Sequence, residues 1–464
     1  MPIRLNHIIF ATCVKRVRFT ALALNNIIND HILPIMKKFA FFVGMMLTVA
    51  SAFAASTVRD DLKANVLVSA NNYQAYPDKN LPALTPAPAG YEPFYMNHYG
   101  RHGSRWLINP DQYAFPIAQI EKGVKAGKVT KRGLEVLDTL RMVQAASAKR
   151  LGELSDKGAE QHQGIAARMM KNFPQIFAGD APVDAKSTII IRCILSMQNE
   201  TDILKSLNPQ LRITTDASEH DMYYMNYDDS VVSVLRKQAR PVLRKFANKI
   251  LNPKHLLSVL FTDQKWAQQN IDGQKLMTDL FDVTANMQSH HQFENVNFYN
   301  LFTDDDLYRL WEYGNASWYL KSGENPITNN RLDYNQANLL RNFIESADKG
   351  IALGRNSATL RFGHESVLLP LVCLMGVNGA DFRTDDLSKL AENDNWLAYK
   401  IFPMGANIQL VYYRKAGSDD VLVKILLNEH EATLPKVKTD VAPYYHWSDV
   451  RAYFLDKLSH QPKP

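Results

Sequence analysis

Residues 99–105 read YGRHGSR and place two arginines, one histidine and two glycines within seven positions. Arginine presents a planar fork of N–H donors that matches phosphate oxygens, and glycine lets backbone N–H groups approach a ligand closely. This composition is typical of a binding loop for a small dianion. The triplet at 101–103 also occurs in ordinary surface turns, so the surrounding chain has to decide between the two interpretations.

The chain around this stretch predicts strands that alternate with helices. Residues 94–99 predict a short strand that ends at the stretch, and the β-branched, apolar segments 187–191 and 358–362 predict two further buried strands. Helical periodicity covers residues 57–72, 112–126, 131–149, 155–172, 196–207 and 366–375, with Ser155 as an N-cap. We therefore predict an α/β fold with a mostly parallel central sheet flanked by helices.

The middle of the chain differs from both ends. From about residue 216 to 340, helical periodicity dominates and strand signals are scarce, whereas the C-terminal part shows a hairpin pattern around Gly417. We predict a mainly helical inserted domain that caps the site. The predicted division is an α/β domain formed by 55–210 and 340–464, with the insertion at 211–339.

The N-terminus predicts export. The sequence MKK at 36–38 precedes about 12 apolar residues and then AFA at 52–54, which is the pattern of a cleavable signal peptide. Such an apolar segment is too short to span a bilayer, which needs roughly 20 residues. We predict a signal peptide at 36–54, a mis-called extension at 1–35, and a bacterial protein that is periplasmic or secreted without a stable membrane anchor.

The distribution of charge argues against nucleic acid as a partner. The chain has 53 Lys and Arg residues against 47 Asp and Glu, but residues 1–54 hold six of the basic residues and one acidic residue. The remainder is nearly neutral, so affinity for anions has to come from local clusters. One basic cluster, from Lys122 to Arg132, predicts either a solvated helix face or contacts to additional phosphates of a substrate.

Cysteine and histidine patterns predict neither a disulfide framework nor a metal site. Beyond the leader, Cys193 and Cys373 remain in apolar segments that favour buried free thiols. His98 and His102 have a spacing that could bind zinc on a helix, but the glycines around them oppose a helix there. We predict no metal and no cofactor.

Three groups of charged side chains follow the three predicted strands. Arg101 and His102 follow the first, Arg192 the second, and His364 with Glu365 the third. Carboxyl ends of parallel strands meet at one edge of a sheet, where ligands of open α/β sheets bind. If the groups meet there, guanidinium groups surround a phosphate, a histidine can attack phosphorus and a carboxyl group can serve the leaving oxygen. This set predicts phosphoryl transfer through a phosphohistidine without a metal ion.

These segments resemble the histidine acid phosphatase family, the branch 2 histidine phosphatases, and especially its bacterial multiple inositol polyphosphate phosphatases and phytases. Besides RHGSR at 101–105, LSDKG at 154–158 resembles a helix start of that family, and LRFGHE at 360–365 resembles its acid-bearing turn. The matching segments span most of residues 90–430. The resemblance implies a phosphoglycerate mutase-like fold.

By this resemblance His102 is the nucleophile and Glu365 the proton donor. The side chains that it implies for phosphate binding are Arg101, Arg105, Arg192 and His364. It further implies a phosphomonoesterase whose small-molecule substrate is an inositol polyphosphate such as phytate, while export is predicted from the leader and metal independence from the residue set. Two positions depart from the family pattern: Trp106 begins the segment where proline is usual, and Glu365 directly follows His364 where relatives carry His-Asp or His-Ala-Glu.

Two alternatives stay open from the residues alone. A broad-specificity acid phosphatase or sugar-phosphate phosphatase would need the same catalytic set in a less basic pocket. A phosphate-binding protein without turnover is a different class, and the intact pair of His102 and Glu365 argues against it.

Overall fold

The computed structural model describes residues 57–77 and 81–462. The predicted extension, 1–35, and the predicted signal peptide, 36–54, lie outside the described residues. No helix in the described part of the chain is long and apolar enough to cross a membrane.

A mixed sheet forms the centre of the fold. The strands found in the described ranges are β1 (Tyr91–Arg101), β2 (Pro182–Ser187), β3 (Arg212–Asp216), β4 (Ser357–Gly363), β5 (Asn407–Lys415), β6 (Val421–Leu427), β7 (His430–Ala432) and β8 (Tyr444–His446). They are ordered β3-β2-β4-β1-β5-β6-β7, and β8 also pairs with β6. The first four strands in this order are parallel, whereas β5 to β8 pair antiparallel.

The predicted α/β class is therefore confirmed, and its parallel part is the half of the sheet that holds β1, β2 and β4. The predicted hairpin is also present as β5 and β6, with Gly417 in the left-handed region at φ +75°. Helices cover both faces. Tyr95 and Tyr99 of β1 pack in one core, and Met96 packs in another core on the opposite face.

The prediction of a strand at 187–191 is wrong. The strand β2 ends at Ser187, and Ile189, Ile190 and Ile191 lie exposed at the beginning of a helix. The sequence of β2, PVDAKS, alternates buried and half-buried positions, and its polar half concealed it from a search for apolar segments. Arg192 consequently lies in the first turn of a helix rather than at the end of a strand.

Helices make up most of the remaining chain. Their bounds are α1 (Val58–Ala64), α2 (Asp111–Lys125), α3 (Lys131–Ala146), α4 (Asp156–Asn172), α5 (Ile191–Leu207), α6 (Met222–Met225), α7 (Ser230–Ile250), α8 (Lys254–Leu260), α9 (Gln264–Asn270), α10 (Gly273–Met287), α11 (Asp304–Ser322), α12 (Ala337–Ala352), α13 (Glu365–Met375), α14 (Ala398–Ile401) and α15 (Trp447–Ser459). Ser155 caps α4 as predicted, because its Oγ accepts the N–H of Gly158 at 3.1 Å.

A separate hydrophobic core unites helices without any strand residue. It contains buried residues of α1, α2, α3 and α8 to α11. The helical part of the structure thus draws on segments before residue 211 as well as after it, and β3 adds a strand to the sheet after that position. The inserted domain at 211–339 stays a prediction. Cys193 and Cys373 are buried free thiols, as predicted.

The loop after β1 lies against the beginning of α4 with almost no space between the backbones. A Cβ atom added to Gly103 would lie 2.3 Å from the carbonyl oxygen of Gly158, and one added to Gly158 would lie 2.2 Å from that of Ser104. Ser104 O also accepts hydrogen bonds from Ser155 N and Oγ, at 2.9 and 3.0 Å. Both glycines are therefore required by close packing.

We predict that Gly158→Ala lowers the free energy of unfolding by about 3 kcal/mol, because the added methyl group meets backbone rather than a side chain that can move. Gly164→Ala on the same helix is the matched control, since its Cβ would meet only the guanidinium end of Arg168. The control should lie within about 1 kcal/mol of wild type in urea unfolding. Equal stability of the two variants would contradict this packing account.

Candidate active site

The parallel pairing of β1 with β4 brings the predicted site residues together. Arg101 lies opposite Gly363 in the register, and the N–H of His102 donates to the carbonyl of Gly363 at 2.9 Å. His364 and Glu365 therefore follow β4 beside His102. Arg192 joins them from the first turn of α5.

His102 is fully buried, and its imidazole has a defined orientation. Its Nδ1 lies 2.9 Å from the carbonyl oxygen of Gly103, which accepts the Nδ1–H and so leaves the lone pair on Nε2. This Nε2 lies 3.4 Å from Oε2 of Glu365. Burial holds the pKa of His102 well below its usual range; Glu365 opposes this shift, while Arg101 and Arg105 reinforce it. The ring is neutral and its free nitrogen faces the carboxylate.

Glu365 binds the guanidinium groups through both carboxylate oxygens. Arg101 Nε donates to Oε2 at 3.1 Å, and Arg105 Nη2 lies 4.0 Å from Oε1. Burial by itself would raise the pKa of Glu365, but the charges of Arg101 and Arg105 hold it well below its usual range. The carboxylate is thus ionised at the place where several cations converge.

Arg101 is held rigidly at the floor of the site. Its side chain is completely buried, and Nη1 donates to the backbone carbonyls of Asn72 at 2.6 Å and Phe402 at 2.9 Å. Its Nη2 has no partner within the described ranges. Burial lowers the pKa of Arg101 to about 10, so the guanidinium keeps its charge. A rigid cation with a free N–H pair suits an incoming phosphate oxygen.

His364 and Arg192 complete the ring of side chains. The imidazole of His364 lies 5.7 Å from that of His102 between centroids, and its Nε2 is 3.3 Å from Thr188 Oγ1. Burial lowers the pKa of His364 to about 4 and also lowers that of Arg192. His364 is therefore neutral over most of the pH range and acts as a hydrogen-bonding group.

Trp106, one of the departures from the family pattern, anchors the loop through tertiary contacts. Its indole is buried and stacks on His290 with centroids 3.9 Å apart, and its backbone N–H donates to Glu153 O at 3.0 Å. Arg105 Nη1 donates to Trp106 O at 2.8 Å, and Asn286 Nδ2 donates to Arg105 O at 2.8 Å. These contacts fix Arg105 without a proline.

Several neighbours of the site carried no recognisable signal in the sequence. The carbonyls that hold Arg101 are backbone groups, which any residue supplies. Cys193 lies with Sγ 3.7 and 3.8 Å from the two ring nitrogens of His364, but its apolar surroundings favoured a core position. Burial raises the pKa of Cys193 to about 12, so it is a thiol there.

The electrostatics of the site favour an anion. The ligand atoms of His102, His364 and Glu365 lie within 4.8 Å of one another, a separation that a metal ion could bridge. Arg101, Arg105 and Arg192 surround the same place and would repel a cation, whereas they stabilise the oxygens of a phosphate.

The family model for the histidine phosphatase superfamily (branch 2) matches residues 101–428, which is more than half of the chain. The chain belongs to the histidine phosphatase superfamily, branch 2. It is a phosphatase, and the predicted family membership is confirmed.

Individual relatives of this histidine phosphatase agree with that result. Multiple inositol polyphosphate phosphatase 1 of Gallus gallus is 22% identical over 329 residues, which cover 67% of this chain and 70% of that protein. The crystal structure of the Bifidobacterium longum multiple inositol polyphosphate phosphatase in complex with inositol hexasulfate matches with a TM-score of 0.65 and 17% identity, over 83% of this chain and 97% of that one. The phytase from D. castellii matches with a TM-score of 0.63 and 14% identity, over 86% of each chain.

We predict that Glu365→Gln strengthens the binding of sulfate, a tetrahedral dianion that does not titrate between pH 5 and 8. In the wild-type phosphatase the ionised carboxylate competes with the anion for Arg101 and Arg105. A bound dianion raises the pKa of Glu365, so binding takes up a proton and wild-type affinity falls as pH rises through the raised pKa.

Isothermal titration in buffers of different ionisation heat measures both effects. The wild type should show proton uptake and an affinity that falls with pH, whereas Glu365→Gln should bind roughly tenfold tighter, without uptake and without this slope. Weaker sulfate binding by Glu365→Gln would show that the carboxylate does not occupy the anion site.

Proposed function

We propose that this phosphatase hydrolyses inositol polyphosphates such as phytate, outside the cytoplasm and without a metal ion, through a covalent phosphohistidine on His102. The observation that carries the mechanism is the free Nε2 of the buried, neutral His102, which faces the Glu365 carboxylate inside a ring of guanidinium groups. The relatives that match most of the fold include phosphatases whose names specify inositol polyphosphates.

The proposed reaction has two displacements at phosphorus. In the first, the Nε2 lone pair attacks, the bond between phosphorus and the ester oxygen breaks, and Glu365 gives its proton to the leaving alkoxide. In the second, the oxygen of a water molecule attacks phosphorus while the ionised Glu365 takes a proton from that water. The bond between phosphorus and Nε2 breaks, which releases phosphate and restores His102. Arg101, Arg105, Arg192 and His364 bind the phosphoryl oxygens throughout.

This scheme requires Glu365 to be protonated when the ester is bound, although it is ionised in the free site. The phosphate itself supplies the change. When a dianion takes the N–H donors of Arg101 and Arg105, the carboxylate loses its cationic partners and gains a negative neighbour, so its pKa rises. Since this proton comes from solution, acidic to near-neutral pH favours the first step.

Two further cations support a substrate with more than one phosphate. A cavity of about 290 Å³ adjoins the site at Tyr73 and is lined by Asp282, Trp318 and Lys321. The ring of Tyr73 lies 5.7 Å from the Arg105 guanidinium. Neither Lys321 nor Arg240 has an acidic partner within ion-pair distance in the described part of the chain. Burial and the charges of Arg236 and Arg240 lower the pKa of Lys321, while Asp282 and Glu365 oppose this shift.

Lys321 thus lines the cavity next to the catalytic centre, and its backbone carbonyl accepts a hydrogen bond from Arg236 Nε on α7 at 2.8 Å. Like charges repel when they are brought together without counterions, and an anionic group between Lys321 and Arg240 would relieve that repulsion. A phosphate on another carbon of the substrate ring is such a group. The cation pair thus favours an inositol polyphosphate over a simple monoester.

The basic cluster from Lys122 to Arg132 is better explained as a solvated surface. Its members pair with neighbours, as Lys128 does with Asp263 at 3.1 Å and Arg132 with Glu135 at 3.2 Å. The cluster begins ten residues after Gln112, which hydrogen-bonds to Asp282 beside the site, and a helix rises 1.5 Å per residue. Lys122, the first member of the cluster, therefore lies on the order of 15 Å along α2 from Gln112.

Phosphate release from phytate by residues 55–464, measured with EDTA present across pH 3 to 8, tests the proposal. We expect turnover that is highest at acidic to near-neutral pH and falls by at least roughly a thousandfold in His102→Ala. Turnover of glucose phosphate and aryl phosphates without turnover of phytate would indicate a broad-specificity phosphatase instead. No turnover of any ester would favour a phosphate-binding protein.

We predict that Lys321→Ala raises the KM for phytate by roughly tenfold and changes kcat/KM for p-nitrophenyl phosphate by less than about twofold, because only the polyphosphate reaches the second cation. Lys245→Ala removes the same charge about 140° around α7 from Arg240 and is the matched control. Equal effects of Lys321→Ala on both substrates, or an equal effect of Lys245→Ala on phytate, would contradict this assignment.

A further inference from the structure

A buried, hydrogen-bonded pair of titratable side chains lies behind residues 102–105, the loop that carries His102, and takes no part in the proposed reaction. His162 on α4 and Glu200 on α5 both have fully buried side chains, and Nδ1 of the histidine lies 2.7 Å from Oε1 of the glutamate. Burial raises the pKa of Glu200, and the hydrogen bond with His162 opposes that shift. Burying two titratable groups costs desolvation free energy, and apolar side chains could join the two helices without that cost.

Residues of α4 next to His162 connect the pair to the loop at residues 102–105. Gln161, the preceding residue, accepts the N–H of Ser104 through Oε1 at 2.8 Å and donates from Nε2 to Ser104 Oγ at 3.0 Å. Ser155, at the start of the same helix, bonds to Ser104 O. The backbone two residues after His102 is therefore fixed by α4.

The neighbours of Glu200 make the same connection on the α5 side. Ser196, one helical turn earlier, accepts the N–H of Gly103 through Oγ at 3.2 Å and donates to Arg192 O at 2.8 Å. The Gly103 carbonyl in turn orients the imidazole of His102. The two helices thus meet at the loop, and the pair of His162 and Glu200 fixes the position of one helix relative to the other just behind it.

We propose that His162 and Glu200 are positioning residues, which hold α4 and α5 in the alignment that aims Nε2 of His102 at phosphorus. They act through Gln161 and Ser196 and do not touch the substrate. Their loss lets the loop shift relative to Arg101, which the carbonyls of Asn72 and Phe402 hold separately at the end of β1. In-line attack is sensitive to such shifts, and a displacement of about 1 Å can lower the rate on the order of a hundredfold.

The structure provides a matched control between the same helices. Gln163, which follows His162, donates from Nε2 to Asn199 Oδ1 at 2.8 Å, and Asn199 precedes Glu200. This second link is half-buried and lies one residue from each member of the pair, and neither of its side chains hydrogen-bonds to residues 102–105. Removing it tests whether any contact between α4 and α5 would have the same effect.

The experiment compares Glu200→Ala, Glu200→Gln, His162→Gln and Gln163→Ala with p-nitrophenyl phosphate as substrate, so that its outcome does not depend on activity toward phytate. The number of folded sites is measured by sulfate binding, and kcat is expressed per binding site. Glu200→Ala should lower kcat 10- to 100-fold with KM and sulfate affinity within about threefold of wild type. Glu200→Gln, which preserves a hydrogen bond to the imidazole, should recover most of the loss, and Gln163→Ala should stay within about twofold.

An unchanged kcat per binding site in Glu200→Ala would overturn the proposal and leave the pair a purely structural role. An equal loss of kcat in Gln163→Ala would also overturn it, because the effect would then not be specific to the pair. Should Glu200→Ala yield no folded protein, Glu200→Asp and His162→Gln decide: a fall in kcat at constant sulfate affinity supports the proposal, and wild-type kcat in both overturns it.

Discussion

The contact between the Arg101 guanidinium and the Glu365 carboxylate is the interaction on which the site depends. Arg101 is completely buried at the carboxyl end of β1, and a buried cation without a counterion would be strongly destabilising. Parallel pairing of β1 and β4 places Glu365 within 3.1 Å of it. In the free enzyme the carboxylate thus serves as the internal counterion at the place that the substrate phosphate is proposed to occupy.

In the proposed mechanism the substrate phosphate replaces the Glu365 carboxylate as the anion beside Arg101, and this replacement links stability, binding and catalysis. Glu365 is the counterion of the cation-rich site, and in the proposed mechanism a phosphate that displaces it from Arg101 and Arg105 also changes its protonation state. The same event therefore turns a counterion into a proton donor in the proposed mechanism. A glutamate directly after His364 suits this role, because its side chain is one methylene longer than that of aspartate and reaches back to Arg101 and to His102 Nε2.

The sequence predicted the parts of the site that rest on local chemistry. The strand before Arg101, the turn at His364 and the helix cap at Ser155 each have strong local signals, and all three are present. The sequence-based prediction failed where hydrophobicity did not match burial, at β2 and at the isoleucines that follow it. The polar side chains Asp184 and Lys186 concealed β2, and three exposed isoleucines imitated a buried strand. Long-range contacts, such as the carbonyls of Asn72 and Phe402 on Arg101, depend on the folded chain and leave no pattern in the sequence.

The central claim is that His102 becomes covalently phosphorylated during turnover. The most direct measurement is a rapid alkaline quench of the enzyme during turnover of a ³²P-labelled phosphate ester, followed by mapping of the labelled peptide. The account predicts a label on His102 that is stable in alkali and labile in acid, and its absence in His102→Ala. Turnover without labelled protein, or a label on any other residue, would contradict the account.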